Sequence, residues 1–273
     1  MSFRLAAFAD EAANDLTGQI EAMKENGVEL LEIRGVDGSN IDQLSCEKSR
    51  EIRRRLEDAG LAVWSLGSPF GKIGIKDSFA PHLESFKHSL ELAVIFGARH
   101  IRLFSFYGTT EIEPVLERLE AFVDAAKSTD IILCHENEKG IYGDKAAKCL
   151  EIHKALPQLR AIFDPANFIQ CGQDTREAWE LLSPYVEYMH IKDALPDGSV
   201  VPAGKGSGNL PWLLSQYKGE VLTVEPHLSV FEGFDKLESE EKTKMRYIYP
   251  DSRTAFSAAV GALREIIGGE DNV

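Results

Sequence analysis

Four residues in this chain share a position from which they could do chemistry. Glu136 ends the run IILCHE, Asp164 ends LRAIFD, His190 lies near the end of VEYMHI, and Glu225 ends EVLTVE. The four runs follow one another along the chain, each short and apolar, with helix-like segments between them. If these strands are parallel neighbours in a closed sheet, the four side chains converge on one rim. Three carboxylates and an imidazole repel one another unless a cation sits between them, which points to one divalent metal ion. Oxygen-rich ligation with a single nitrogen favours Mn²⁺ or Mg²⁺, and Zn²⁺ or Co²⁺ also suits the set. A lone acid at a strand end is more often a helix cap or a surface charge. The coincidence of four on successive strands carries the reading.

Alternation along a strand tests whether the four face inward. Val221 and Thr223 share the face of Glu225, Ile162 that of Asp164, and Ile132 and Cys134 that of Glu136. Apolar side chains beneath a polar tip are what a packed barrel interior capped by an active site would present. Pro165 and Pro226 directly follow two of the acids. Proline cannot extend a central ladder, so these acids stand where strands stop. Lys192 shares the parity of His190 and would reach either a substrate oxygen or a neighbouring carboxylate such as Asp193.

The elements that must position these residues are legible as a repeat. Strand-like runs fall at 3–9, 29–34, 61–67, 98–104, 130–136, 159–164, 186–191 and 220–225. Amphipathic stretches at 16–27, 46–60 and 80–97 each close on a glycine (Gly27, Gly60, Gly97), which suits a helix C-terminus. Further helical stretches lie at 144–157, 175–185, 211–219 and 254–269. Eight strands alternating with helices predict one (β/α)₈ TIM barrel spanning 1–273. A doubly wound open sheet would want a glycine-rich first turn, and FADEAANDL has no glycine. The connection from His227 to Arg253 is long and carries Phe231, Phe234, Tyr247 and Tyr249 among charges, as a lid, an interface element or a plain surface excursion would.

Composition narrows the partners. The net charge of −14 and the lack of a basic track disfavour nucleic acid and anionic membranes. No run approaches the roughly 18 apolar residues of a membrane helix. The start MSFRLAAFADEA turns acidic too early for a secretory signal, so cytoplasmic residence is expected. Four cysteines without CxxC spacing read as reduced thiols. A small molecule is the expected partner, and a homo-oligomer stays open.

These motifs resemble the xylose-isomerase-like TIM barrel superfamily of sugar isomerases and epimerases. The resemblance runs from FADEA at the first strand to the acid of the eighth; its specific parts are His190, Lys192 and Asp193 in HIKD, the segment AGKGSGNLPW (203–212), and VEP. It implies that Glu136, Asp164, His190 and Glu225 hold the metal and that the two glutamates exchange protons with a sugar, keto-polyol or sugar phosphate. Moving a proton from carbon beside a carbonyl needs a base and a means of stabilising the enediolate, and a Lewis acid with two carboxylates supplies both. Return of the proton to the same carbon is epimerisation, return to its neighbour is aldose–ketose isomerisation, and loss of a β-hydroxyl is dehydration of the keto-inositol type. A barrel that keeps the metal and sugar but has lost turnover is the non-enzymatic alternative.

The chain departs from such epimerases in two places. A histidine expected three residues after the strand-six acid is Asn167, and an acid expected six residues after the strand-five glutamate is Tyr142. Both become candidate substrate contacts. Gly204–Gly208, with Lys205 inside it, could cradle a phosphate through backbone N–H groups, or serve as a hinge. His227 lies close enough in sequence to support Glu225. Apurinic-site endonucleases share this barrel, but they need a three-metal cluster with more histidines, and phosphodiester cleavage is disfavoured.

Overall fold

In a computed structural model, which describes residues 3–229, 244 and 246–269, eight parallel strands close into a barrel. They are β1 (Arg4–Ala7), β2 (Leu30–Ile33), β3 (Ala62–Leu66), β4 (His100–Leu103), β5 (Ile132–Glu136), β6 (Arg160–Phe163), β7 (Val186–Ile191) and β8 (Val221–Val224). Each falls inside the run expected from sequence. β1 pairs with both β2 and β8, so the sheet has no edge.

The outer ring consists of α1 (Leu16–Glu25), α2 (Cys46–Asp58), α3 (Phe79–Phe96), α4 (Glu113–Ala126), α5 (Ala146–Ala155), α6 (Pro165–Gln170), α7 (Thr175–Leu182), α8 (Leu210–Gln216) and α9 (Ser252–Gly269). Gly27, Gly60 and Gly97 take positive φ (55°, 78° and 71°), the conformation that lets the chain leave a helix and enter the next strand. Pro165 does more than end β6. It is the first residue of α6, for which the Asp164 side chain is the N-cap, accepting from the Asn167 N–H at 3.0 Å. The sequence did not signal the two small hairpins, Gly35–Val36 with Ser39–Asn40 and Asp193–Ala194 with Val200–Val201.

Strand alternation sorts the core into two regions. Outward residues such as Leu31, Ile33, Leu222 and Val224 meet the helices in the main apolar core. Inside the barrel, Ala6, Leu30 and Val221 pack with Trp64, and Cys134, Ile162 and Tyr188 pack with Trp64 and Ile132. These form the dry floor. The layer above it is polar, and it differs from the expected purely apolar support: Glu32 and Ser65 are fully buried there.

Of the aromatic residues in the connection after β8, Phe231 and Phe234 lie outside the described residues. Tyr247 and Tyr249 stack with ring centroids 6.5 Å apart. Among the described residues, no helix is long and apolar enough to cross a membrane.

Candidate active site

The ends of β5 to β8 bring Glu136, Asp164, His190 and Glu225 together. All four are buried, and one donor atom from each lies within 4.8 Å of the others. His190 Nδ1 is 2.8 Å from Glu136 Oε1 and 3.7 Å from Glu225 Oε2. Lys192 Nζ sits 2.9 Å from both Asp164 Oδ2 and Glu225 Oε2, so the lysine read as sharing the parity of His190 enters the quartet itself. Its approach to Asp164 has ion-pair distance but not hydrogen-bond geometry, and Asp164 Oδ2 accepts no hydrogen bond.

The other half of the barrel contributes groups that the sequence did not bring forward. Glu32 on β2 reaches across the lumen, where its Oε2 is 3.1 Å from His190 Nε2 and its Oε1 accepts from the Tyr188 hydroxyl at 2.9 Å. Arg102 on β4 places Nη1 3.2 Å from Glu136 Oε2 and 3.9 Å from Glu225 Oε1. Its Nη2 donates to the Gly67 carbonyl at 3.0 Å, and the guanidinium lies against the rings of Phe8 and Phe104. Arg34, just past β2, pairs with Asp10 at 2.8 Å, Glu11 at 3.1 Å and Glu225 at 3.4 Å. A sequence signal for two of them existed: Glu32 and Arg102 stand inside the strands LLEI and HIRL, two residues from inward-facing Leu30 and His100.

The electrostatics follow from burial and pairing. Burial opposes ionisation of Glu225, but Lys192, His227, His190 and Arg34 outweigh it and hold this carboxyl well below the usual range. Asp164 shares Lys192 yet is pushed up to about 7, because burial prevails there. Burial likewise opposes protonation of His190, and Glu136 and Glu32 overcome it, raising the imidazole to about 10. Glu11 is driven up to about 8, chiefly by burial.

The donor set could hold a divalent cation. It offers three carboxylates and one imidazole, with a buried Asp164 oxygen that lacks a hydrogen bond. The contact with Glu32 fixes which ring nitrogen of His190 faces the quartet, the usual arrangement around a metal-ligating histidine.

The remaining candidates are distributed unevenly. Asn167 is buried beside the quartet, its Nδ2 donating to the Asn137 carbonyl at 2.9 Å and lying 3.5 Å from Glu136 Oε1. His227, with φ of 45°, places Nε2 3.4 Å from Glu11 and 3.6 Å from Glu225, while its N–H donates to Glu11 Oε2. Tyr142 turns away from the quartet, because its hydroxyl donates to Glu151 on α5. Lys205 is exposed on its loop. Of the two readings of Gly204–Gly208, phosphate cradle or hinge, the cradle is already filled from within the chain. The N–H groups of Gly204, Gly206 and Gly208 donate to the Asp193 carboxylate at 3.0, 3.0 and 2.8 Å, and that of Ala194 does so at 2.9 Å. A Cβ at Gly206 or Gly208 would collide with the same carboxylate, so the glycines are explained by an anion that belongs to the chain.

Comparison with known proteins gives a consistent picture. The sequence profile described as xylose isomerase-like TIM barrel matches residues 20–226. Among curated proteins none matches the sequence. Solved structures share the fold at low identity. The probable 3-DHS dehydratase AsbF of Bacillus anthracis superposes with a TM-score of 0.73 at 16% identity, covering 96% of this chain and 98% of its own. The IOLI protein with a bound zinc atom gives 0.74 at 14%, with coverage of 99% and 100%. An L-ribulose 3-epimerase gives 0.71 at 16%, with coverage of 99% and 97%.

Proposed function

We propose, for a chain that belongs to the xylose isomerase-like TIM barrel family, an isomerase or epimerase that moves a proton on carbon beside the carbonyl of a small polyhydroxylated substrate. The observation that carries this reading is the convergence of Glu136, Asp164, His190 and Glu225 in one buried cluster. Glu136, Asp164, His190 and Glu225 would hold the divalent ion. When bound, the ion supplies the Lewis-acid charge that makes a carbon beside a carbonyl acidic enough to ionise.

The chain's own residues do the rest. Glu225 is kept ionised by its cationic neighbours, and Glu136 lies beside it at the same Nδ1 of His190, so one carboxylate takes the proton and the other returns it. Arg102 touches both glutamates and is fixed by the Gly67 carbonyl, so it keeps their separation and faces the reacting atoms with a fixed positive charge. Burial of all these groups keeps bulk water from the carbanion.

The substrate is unphosphorylated in this reading. Arg34, Arg102, Lys72 and Lys192 are each already paired with carboxylates, and the glycine loop closes on Asp193. Dehydration is the second reading, and Lys192 favours it: an ammonium beside Glu225 could give its proton to a departing β-hydroxyl.

A panel of keto- and aldo-sugars, keto-polyols and their phosphates, incubated with Mn²⁺ in deuterated water, tests the proposal. It expects deuterium on carbon beside a carbonyl of a neutral compound, and slowing of about 10²–10⁴-fold in Glu136→Gln and Glu225→Gln. Exchange that survives both substitutions unchanged would refute the roles given to the glutamates.

A further inference from the structure

Away from the barrel mouth, α2 and α3 pack together on the outer ring and bring a second set of unlike donors into one place. Cys46 is the first residue of α2, while His88 and Glu91 lie one turn apart on α3. Glu91 Oε2 is 3.9 Å from Cys46 Sγ and 3.9 Å from His88 Nδ1, and all three donor atoms fall within 4.8 Å of one another. From this geometry we propose that Cys46, His88 and Glu91 form a site for a thiophilic divalent ion of the Zn²⁺ class, distinct from the quartet and serving to staple α2 to α3.

Three features support the assignment. The first is the orientation of the imidazole. His88 Nε2 lies 2.8 Å from the Leu44 carbonyl, which cannot donate, so Nε2 carries the hydrogen and the Nδ1 lone pair is turned toward Glu91 and Cys46. A histidine whose far nitrogen donates to a backbone carbonyl is already set in the tautomer that a metal requires.

The second feature is distance. Zinc bonds of about 2.3 Å to sulfur and about 2.0–2.2 Å to nitrogen and oxygen put tetrahedral neighbours roughly 3.4–3.6 Å apart. The three donors therefore close on an ion with side-chain movements of about an ångström. Cys46 and His88 are half-buried and Glu91 is exposed, which leaves solvent the fourth coordination position.

The third is the local field. Asp42, in the short turn that precedes α2 and near His88, has a carboxylate oxygen buried without a hydrogen-bond partner. A cation beside His88 would relieve it.

Sulfur separates this site from the quartet, which contains none. Titration of the purified full chain with Co²⁺ should therefore produce a thiolate-to-cobalt charge-transfer band that belongs to Cys46 alone. The expected result is saturation at one equivalent of band-forming metal, loss of the band in Cys46→Ser, and a weakening of at least about tenfold in His88→Gln and in Glu91→Gln, since losing a ligand exceeds the tenfold effect of losing a supporting partner. The band should persist in Cys171→Ser and in Asp164→Asn. As a second measurement, Zn²⁺ should protect Cys46 from alkylation in the parent but not in His88→Gln. No band in the parent, a band that survives Cys46→Ser, or equal alkylation with and without Zn²⁺ would each overturn the proposal.

Discussion

Oε2 of Glu32 lies 3.1 Å from Nε2 of His190, although 158 positions separate the two in the chain. The contact holds the imidazole from the side away from Glu136, so the ring presents Nδ1 to the quartet. Glu32→Gln keeps the shape but weakens this hold. Mn²⁺ affinity measured by titration calorimetry should fall by roughly 10–100-fold with the fold intact. Unchanged affinity would mean that Glu32 serves packing only.

Lys192 stands where a bound cation would also find its carboxylates. In Lys192→Met the buried Asp164 and Glu225 lose their shared ammonium, and the metal-free chain should lose about 3–5 kcal/mol of stability. Mn²⁺ should restore most of that loss and bind more tightly than to the parent. Denaturant unfolding with chelator and with Mn²⁺ separates the cases, and an equal loss in both would argue against competition between ammonium and metal.

Asp193 satisfies four backbone N–H groups in the segment that follows β7. Asp193→Ala leaves the N–H groups of Ala194 and Gly208 buried without an acceptor, and it should cost about 3 kcal/mol. Gly206→Ala should act in the same direction, because its new methyl group would strike the Asp193 carboxylate and the Ala194 carbonyl. Hydrogen exchange should localise the damage in both variants to 203–208. Protection there equal to the parent's would refute the cradle.

His153 is fully buried on α5, and burial lowers its imidazole to about 4. Its folded value lies below the unfolded one of about 6.5, so the unfolded chain binds the extra proton between these limits. The contribution is therefore complete above about pH 6.5 and is lost as pH falls toward 4, amounting to about 3 kcal/mol. His153→Asn can still donate to the Leu159 carbonyl that the imidazole contacts at 3.0 Å. Subtracting its pH–stability curve from the parent's cancels the other titrating groups. The parent should lose more stability than the variant on acidification, and parallel curves would contradict the assignment.

The sequence revealed the barrel well because each strand is a short apolar run bounded by turn residues, and burial on both faces requires that. It revealed the quartet for a related reason: an acid or imidazole just before a strand-ending proline or at a strand tip has few places to point. Glu32, Arg34 and Arg102 escaped because a charge in a strand run that also carries charges at its ends looks the same whether it faces the lumen or caps an end. The spacing of the glycine loop suits a phosphate cradle or a hinge, and its N–H groups do surround an anion. A sequence cannot tell whether the anion is a ligand or, as with Asp193, a side chain eleven to fifteen positions away. Tyr142 sits in a turn whose direction spacing alone does not determine, and Glu151 pulls its hydroxyl toward the helices.

Anomalous diffraction from crystals grown with Mn²⁺ addresses the barrel-mouth site most directly. The expected map has one strong peak bounded by Glu136, Asp164, His190 and Glu225, with the Lys192 ammonium displaced from between its two carboxylates. A map in which Lys192 still bridges Asp164 and Glu225 while manganese is bound elsewhere, or nowhere, would contradict it.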